Sequence, residues 1–139
     1  MTTPRRDLRP LALGLLVALS ACAAPGSRPD KAAFEALLAR LDPSVPDPGA
    51  AAAACRAAGR SGRAEAVDPL LKLWDALLER KFRRFELAPE LEAVRAEAAT
   101  ALGLLGDIKA VPVLRRGLLD EDKSVAGRSA EALALLGDA

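Results

Sequence analysis

The chain contains no histidine and no tyrosine, only one tryptophan, three phenylalanines and two cysteines. Without histidine, the usual general base near neutral pH and the commonest metal ligand are both missing. A serine or cysteine nucleophile has no imidazole to activate it. Aromatics make up 3% of the chain, and the 51% hydrophobic content is mostly Ala and Leu. That composition disfavours a sheet built on β-branched and aromatic side chains and favours helices packed through small residues. The net charge of +1 lacks the basic excess of a nucleic-acid-binding protein. No phosphate loop is present, because no Lys-Ser or Lys-Thr pair follows Gly103 and Gly106. Asp120, Glu121 and Asp122 lack the spacing of a calcium loop and read as a solvated turn. No apolar cleft between paired carboxylates is suggested for glycoside chemistry. The chain reads as a non-enzyme, with no catalytic residue, metal site or cofactor.

What the chain does have begins with an address. Arg5, Arg6 and Arg9 precede a short apolar run over residues 11–21, and Cys22 follows. A basic segment leading into an apolar run too short to span a bilayer has the form of a secretory signal. Leu19-Ser20-Ala21-Cys22 resembles the lipobox of bacterial lipoproteins. The resemblance implies removal of residues 1–21, a diacylglycerol on the Cys22 thiol and acylation, as by palmitate, of its new amine. Several acyl chains on one residue give stable membrane anchoring. Ala23 in place of Asp after the cysteine implies, in a Gram-negative host, the outer membrane with the protein facing the periplasm. Cleavage removes three Arg and one Asp, which takes the net charge to −1. With Cys22 carrying lipid, Cys55 is left alone and no internal disulfide can form. Residues 22–30, with Pro25, Gly26, Ser27 and Pro29, read as a flexible tether.

The remainder, residues 31–139, is organised by repetition. Shifted by thirty-one positions, Val94, Ala99, Ala101, Leu102, Leu104, Leu105, Gly106 and Asp107 fall on Val125, Ala130, Ala132, Leu133, Leu135, Leu136, Gly137 and Asp138. A weaker copy lies upstream at a shift of forty-four, where Ala54, Ala57, Gly59, Gly62, Ala66, Val67 and Leu70 fall on Ala98, Ala101, Gly103, Gly106, Ala110, Val111 and Leu114. A fixed period of this size marks stacked helical units. The units lie near residues 50–86, 90–119 and 123–139. Before them, Asp30 is placed to cap a helix over 31–41 with Phe34, Leu37, Leu38 and Leu41 on one face. The proline-rich stretch 41–49 breaks it.

Within the first unit, a long second helix over 64–85 carries the apolar stripe Val67, Leu70, Leu71, Trp74, Leu77, Leu78, Phe82 and Phe85. It closes on the basic cluster Arg80-Lys81-Phe82-Arg83-Arg84-Phe85, which reads first as a solvated helix end, with a contact for an acidic partner and attraction to an anionic membrane surface or polyanion as the other readings. In the second unit a helix over 90–105 stops at Gly106, and Asp107 caps a helix that continues to about Leu119 through Val111, Leu114 and Leu118. Asp122 caps the last helix, which buries Val125, Ser129, Ala132, Leu133 and Leu136. Cys55 matches Ala99 across the copies and reads as a small, half-buried helix residue.

At this point the chain resembles a known family. Val94 to Leu114, in the pattern V-R-x-x-A-A-x-A-L-G-x-L-G-D-x-x-A-V-P-x-L, looks like the short HEAT-like repeats of the phycobilin-lyase type. The resemblance implies an all-α fold, a short right-handed α-solenoid of helix pairs, used as a protein-binding scaffold. The chromophore chemistry of a few relatives has no residues here to support it. Ala126 and Gly127 stand where the family often shows Arg and a helix former, which is expected to loosen the last helix.

The expected function is a membrane-anchored lipoprotein whose repeats bind a protein partner. Stacking gives a concave face lined by the second helix of each unit. Trp74, Arg83, Arg84, Arg115 and Arg116 are the candidate contacts on it. The last copy ends where a second helix would begin, which leaves Leu133 and Leu136 as candidate contacts for a partner or for self-association, at a frayed or partner-covered end. The alternative is a structural envelope protein that holds polyanions, or itself, through the basic helix end.

Overall fold

The computed structural model describes residues 30–44, 47–84 and 87–137. The expected signal peptide, Cys22, the expected tether apart from Asp30, and Phe85 lie outside the described residues. Among those described there is no strand, and the α-helices run in the order α1 (Lys31–Ala39), α2 (Pro48–Ser61), α3 (Val67–Arg84), α4 (Pro89–Leu105), α5 (Val111–Gly117) and α6 (Lys123–Leu135). No helix among them is long and apolar enough to cross a membrane.

Aspartate starts α1, α2 and α6, and glycine closes the ends of α2, α4 and α6. Asp30 accepts the Ala33 backbone N–H at 2.7 Å, Asp47 accepts that of Gly49 at 3.0 Å, and Asp122 accepts that of Ser124 at 2.9 Å. Asp107 accepts the Lys109 N–H at 2.9 Å and so caps a short 3₁₀ turn, Ile108–Ala110, that leads into α5. Each such cap is worth about 1 kcal/mol. Gly62, Gly106 and Gly137 occupy the repeat-equivalent stops, with φ of 64°, 71° and 74°. Only glycine enters that left-handed region without strain.

The helices stack in two layers. One layer is α2 on α4 on α6; in the other, α3 packs against α4 and α5 against α6, and α1 leans on α2. The layer α2–α4–α6 is held together by the same contact made twice. A Cβ on Gly59 would stand 2.8 Å from the Ala101 Cα, and one on the equivalent Gly103 would stand 2.7 Å from the Ala132 Cα. Trp74, Leu70, Val94, Leu102, Leu114 and Val125 fill the space between the layers, all essentially without solvent contact. A fully buried side chain of this kind contributes about 1.5–3 kcal/mol. The expected all-α stack of helix pairs is the fold.

Four details differ from the sequence reading. The second helix of the first unit begins at Val67 after a 3₁₀ turn, Ala64–Ala66, and its stripe takes in Leu73 but leaves Phe82 71% exposed. Past Leu77 it is Lys81, not Phe82, that continues toward α4. Helix α5 stops at Gly117, and Leu118, beyond the helical register, is 43% exposed. Leu133 is buried and Leu136 packs against the core, so neither forms an open contact surface. Helix α6 presents those residues to α4 and α5 and turns Gly127, Ala130, Glu131 and Ala134 outward instead. Its last turn is closed by the Leu136 and Gly137 N–H groups, which bond to Ala132 and Ala134 carbonyls at 3.0 and 3.1 Å.

Nor does Gly127 interrupt α6, which is continuous through it. A Cβ there would meet nothing within 4 Å. Gly127→Ala therefore removes backbone freedom from the unfolded chain at no steric cost. The variant is expected to be more stable by about 0.5–1 kcal/mol, read as a rise in the urea unfolding midpoint at unchanged slope.

Candidate functional site

The second-layer helices α3 and α5 form one face of the molecule, and the residues at its centre are charged and buried. Lys81 continues the α3 stripe one turn beyond Leu77. Glu92 and Arg95 lie one turn apart near the start of α4, with Arg95 three and four residues before the buried Ala98 and Ala99. Asp120 follows α5 in the turn before α6. Together they close a ring of alternating sign. Lys81 Nζ lies 2.7 Å from Glu92 Oε1, Glu92 Oε2 lies 2.7 Å from Arg95 Nη1, Arg95 Nη2 lies 2.7 Å from Asp120 Oδ2, and Asp120 Oδ1 lies 3.0 Å from Lys81 Nζ. Asp120 Oδ1 also accepts the Asp122 N–H at 2.9 Å. The Arg95 side chain is only 1% exposed.

Four charges taken from water are costly, and their desolvation is offset only because every carboxylate oxygen is bonded. Burial alone would raise the Asp120 pKa. Hydrogen bonds from Arg95, the Asp122 backbone and Lys81 outweigh it and hold the carboxyl below its ordinary value. Burial likewise works against the charged Lys81 amine, and its bonds to Glu92 and Asp120 outweigh that and raise its pKa. Both residues stay ionised across the neutral range. The sequence reading of residues 120–122 as a solvated turn is thus corrected for Asp120, and that of the basic cluster as a solvated helix end is corrected for Lys81. Asp120 is drawn inward because Arg95, buried by its place on the α4 stripe, needs a second anion.

Above the ring sits the tryptophan. The Arg95 guanidinium carbon lies 4.7 Å from the centroid of the Trp74 ring, a cation–π contact. Gly117 makes room for it: a Cβ there would stand 3.2 Å from the Trp74 ring edge and 2.2 Å from the Ser129 Oγ. Trp74 Nε1 and Arg95 Nε are buried with no hydrogen-bond partner among the described residues. Over these groups opens a cleft of about 530 Å³, with Leu78 and Phe82 of α3 on one side and Arg116 and Leu119 of α5 and its turn on the other. Phe82 and Leu119 stand at its mouth, 71% and 87% exposed.

The residues singled out from the sequence fall into four groups. Trp74 and Arg116 line this cleft, Trp74 as a fully buried part of its floor and so not as an exposed anchor. Arg83 and Arg84 lie on the exposed end of α3 around a separate shallow depression with Arg80 and Glu79, where Arg83 is paired with Glu79. Arg115 is exposed on α5. Leu133 and Leu136 belong to the core. Arg116 approaches Asp75 only to 3.9 Å with both side chains exposed, an ion pair that adds little. The charged ring, Phe82 at the mouth and Leu119 were not picked out. The available signal was a charged residue, Lys81 or Arg95, at a position the helical period assigns to the interior.

Cys55 is completely buried, beyond the half-buried position expected. Burial first, and the Glu97 carboxylate second, push its thiol pKa up to about 12 against the opposing pull of Arg56. It is a protonated packing residue at neutral pH, not a nucleophile. No cluster able to hold a metal ion occurs among the described residues.

A family model for HEAT repeats matches residues 86–139, which span α4, α5 and α6. HEAT-like repeats are thus established for this part of the chain, and the whole described fold is an all-α solenoid of that kind. The matched family is commonly a scaffold for protein interactions. The chain matches none of the curated proteins compared with it.

Proposed function

We propose that this protein is a bacterial lipoprotein, held in the cell envelope by acyl chains on Cys22, whose HEAT-like repeats serve as a protein–protein interaction scaffold and catalyse no reaction. In a Gram-negative host it faces the periplasm from the outer membrane. The observation that carries the scaffold reading is the cleft between α3 and α5, with Phe82 and Leu119 standing exposed at its mouth over a floor fixed by buried charges. Large apolar side chains grouped around a preformed concavity favour contact with another molecule over contact with water. The face contains ion pairs and apolar walls but no group arranged to move a proton or attack a bond. The anchoring half of the reading rests on residues 1–22: the basic start, the short apolar run and Leu19-Ser20-Ala21-Cys22.

Each half has its own test. Cys22→Ser is expected to move the protein from the membrane to the soluble fraction and to abolish the lipid mass. Unchanged fractionation and processed mass would sink the anchor. Chemical cross-linking in intact cells, followed by affinity recovery, is expected to return the same partner protein reproducibly. If replicate experiments share no partner, the scaffold reading fails. The polyanion alternative draws on exposed Arg80, Arg83 and Arg84, and Glu79 lowers the charge there by pairing with Arg83. Charge reversal at Arg83 and Arg84 is expected to leave partner recovery intact and to abolish any salt-sensitive polyanion binding.

A further inference from the structure

We propose that the edge of the solenoid formed by the glycine stops rests on the lipid surface, with Leu104, Ile108 and Leu135 seated where headgroups meet acyl chains. The inference rests on the lipid anchor proposed above and says which way the anchored protein faces.

The edge follows from the way the helices end. Gly59 meets Ala101 at a point three residues before the Gly62 stop and five before the Gly106 stop. Gly103 meets Ala132 at the same two distances from Gly106 and Gly137. Helices α2, α4 and α6 are therefore parallel, and their C-terminal stops come level along one edge. Leu104 and Leu135 each stand two residues before a stop and Ile108 two after one, and they are 53%, 62% and 79% exposed. Large apolar side chains facing water gain by entering an apolar phase.

The opposite edge also carries exposed apolar groups, Phe82, Leu118 and Leu119, so apolarity alone does not choose between the two. The point where the chain enters the fold does. Asp30 caps α1, and in the first turn of that helix the Phe34 ring centroid lies 4.7 Å from the Arg63 guanidinium carbon. Arg63 directly follows the Gly62 stop, so the chain arrives from Cys22 at the glycine edge. The far end of α1 leads to Asp42 and Pro43, which share a depression with Pro48 at the start of α2 and Glu90 at the start of α4.

Chain length decides which edge can lie on the bilayer. Eight residues of chain lead from Cys22 to Asp30, a reach of at most about 28 Å. Helix α4, with 17 residues, is itself about 26 Å long. With the opposite edge down, Asp30 would stand a helix length above the lipid and the connection would be drawn almost straight, at a cost in chain entropy. With the glycine edge down no such stretch is needed, and the anchor holds the three apolar groups at the surface at high effective concentration. Phe82, Leu119 and the cleft then face away from the membrane.

Charge does not drive this contact. Lys31 and Glu35 pair with each other at 3.9 Å. Along the rest of the edge Arg60, Arg63 and Lys109 stand against Asp30, Glu65, Asp68 and Asp107, a slight acidic excess that gives anionic lipid no hold. The contact is apolar, and salt leaves it intact.

The test uses the full-length protein in the membranes of the cells that make it, with a benzophenone amino acid in place of Ile108 or, on the opposite edge, of Leu119. Both positions are exposed, so the fold should survive, as an unchanged unfolding midpoint will show. Irradiation is expected to give lipid acyl adducts from position 108 at least about tenfold above those from position 119, because only the first is held at the surface. High salt is expected to leave that ratio unchanged. In Cys22→Ser the adducts are expected to vanish as the protein leaves the membrane fraction.

Equal lipid labelling from the two positions, stronger labelling from 119, or none from either in membrane-bound protein overturns the orientation. So does capture at 108 of a second copy of the chain, or of another protein, in place of lipid. Labelling at 108 that disappears in high salt overturns the apolar seating. The anchor fails separately. If Cys22→Ser stays in the membrane at an unchanged processed mass, the lipid on Cys22 is removed while 108 against 119 still decides the edge. Wild-type protein absent from the membrane fraction removes both.

Discussion

Asp120→Ala is expected to destabilise the fold by about 3–5 kcal/mol, the loss found when one member of a buried ion network is removed. The residue is not in the core by sequence, and its neighbours Glu121 and Asp122 are surface groups in the same turn. What makes it costly is what its removal strands. Arg95 Nη2 loses its 2.7 Å acceptor while the guanidinium stays 1% exposed. Lys81 keeps only Glu92, and the Asp122 N–H loses the bond that shapes the turn into α6. For a small domain whose whole stability is about 5–15 kcal/mol, the loss would leave a measurable unfolded fraction. Urea unfolding should show the midpoint fall at unchanged slope. A neutral surface substitution in the same turn, Glu121→Ala, should move it by no more than about 0.5 kcal/mol.

The same residue sets a pH dependence whose sign follows from the direction of its shift. A carboxyl held below its ordinary pKa stabilises the fold at pH values above the unfolded value, near 3.9, and loses that contribution as pH falls through the lower folded value. Lys81 is the mirror case. Its raised pKa gives stability that is complete below the unfolded value, about 10.4, and lost as pH rises through the folded one. The ring therefore contributes fully between these limits and weakens at both ends. In Asp120→Asn the acid-side part of that loss should disappear. The stability gap between wild type and variant should be constant near neutrality and close as pH drops below about 4.

How much of this was legible in the sequence depends on which physical signal carried it. Several helix ends were legible, because Asp30, Asp107 and Asp122 act as caps and Gly106 as a left-handed stop through local chemistry alone. The stack itself was legible from the repeat, since equivalent residues of successive units must meet equivalent neighbours. The site was much less so. Arg116 and the α3 arginines were singled out as candidate contacts, and Trp74 both as part of the apolar stripe and as a candidate contact, whereas the centre of the face is a set of buried charges contributed by α3, α4 and the α5–α6 turn. Charged residues read as surface unless their helical position is weighed against their polarity. Arg95 and Lys81 sit where the period demands an interior residue, and that conflict was the available warning. Asp120 had no such warning, because a turn has no period. Phe82 failed in the opposite direction: it keeps the period of α3 yet stands 71% exposed, while its neighbour Lys81 makes the contact with α4.

The other large effect belongs to a residue with no side chain. Gly103→Ala is expected to cost about 1–3 kcal/mol, although Ala is the better helix former by about 1 kcal/mol and the position is helical, in the last turn of α4. The added Cβ would sit 2.7 Å from both the Cα and the Cβ of Ala132 on α6. Backbone cannot rotate away as a long side chain can, so relief requires α4 and α6 to separate, and that loosens the contacts of Val125 and Leu133 with the core. Gly59→Ala should behave alike, since its Cβ would stand 2.8 Å from the Ala101 Cα. Gly127→Ala, in open space on α6, has the opposite sign. Three identical substitutions on helices of one layer thus separate the two properties of glycine, its entropy and its thinness. If Gly103→Ala and Gly59→Ala prove as stabilising as Gly127→Ala in urea unfolding, the repeated close approach of α2 to α4 and of α4 to α6 is wrong, and with it the geometry that places α3 beside α5.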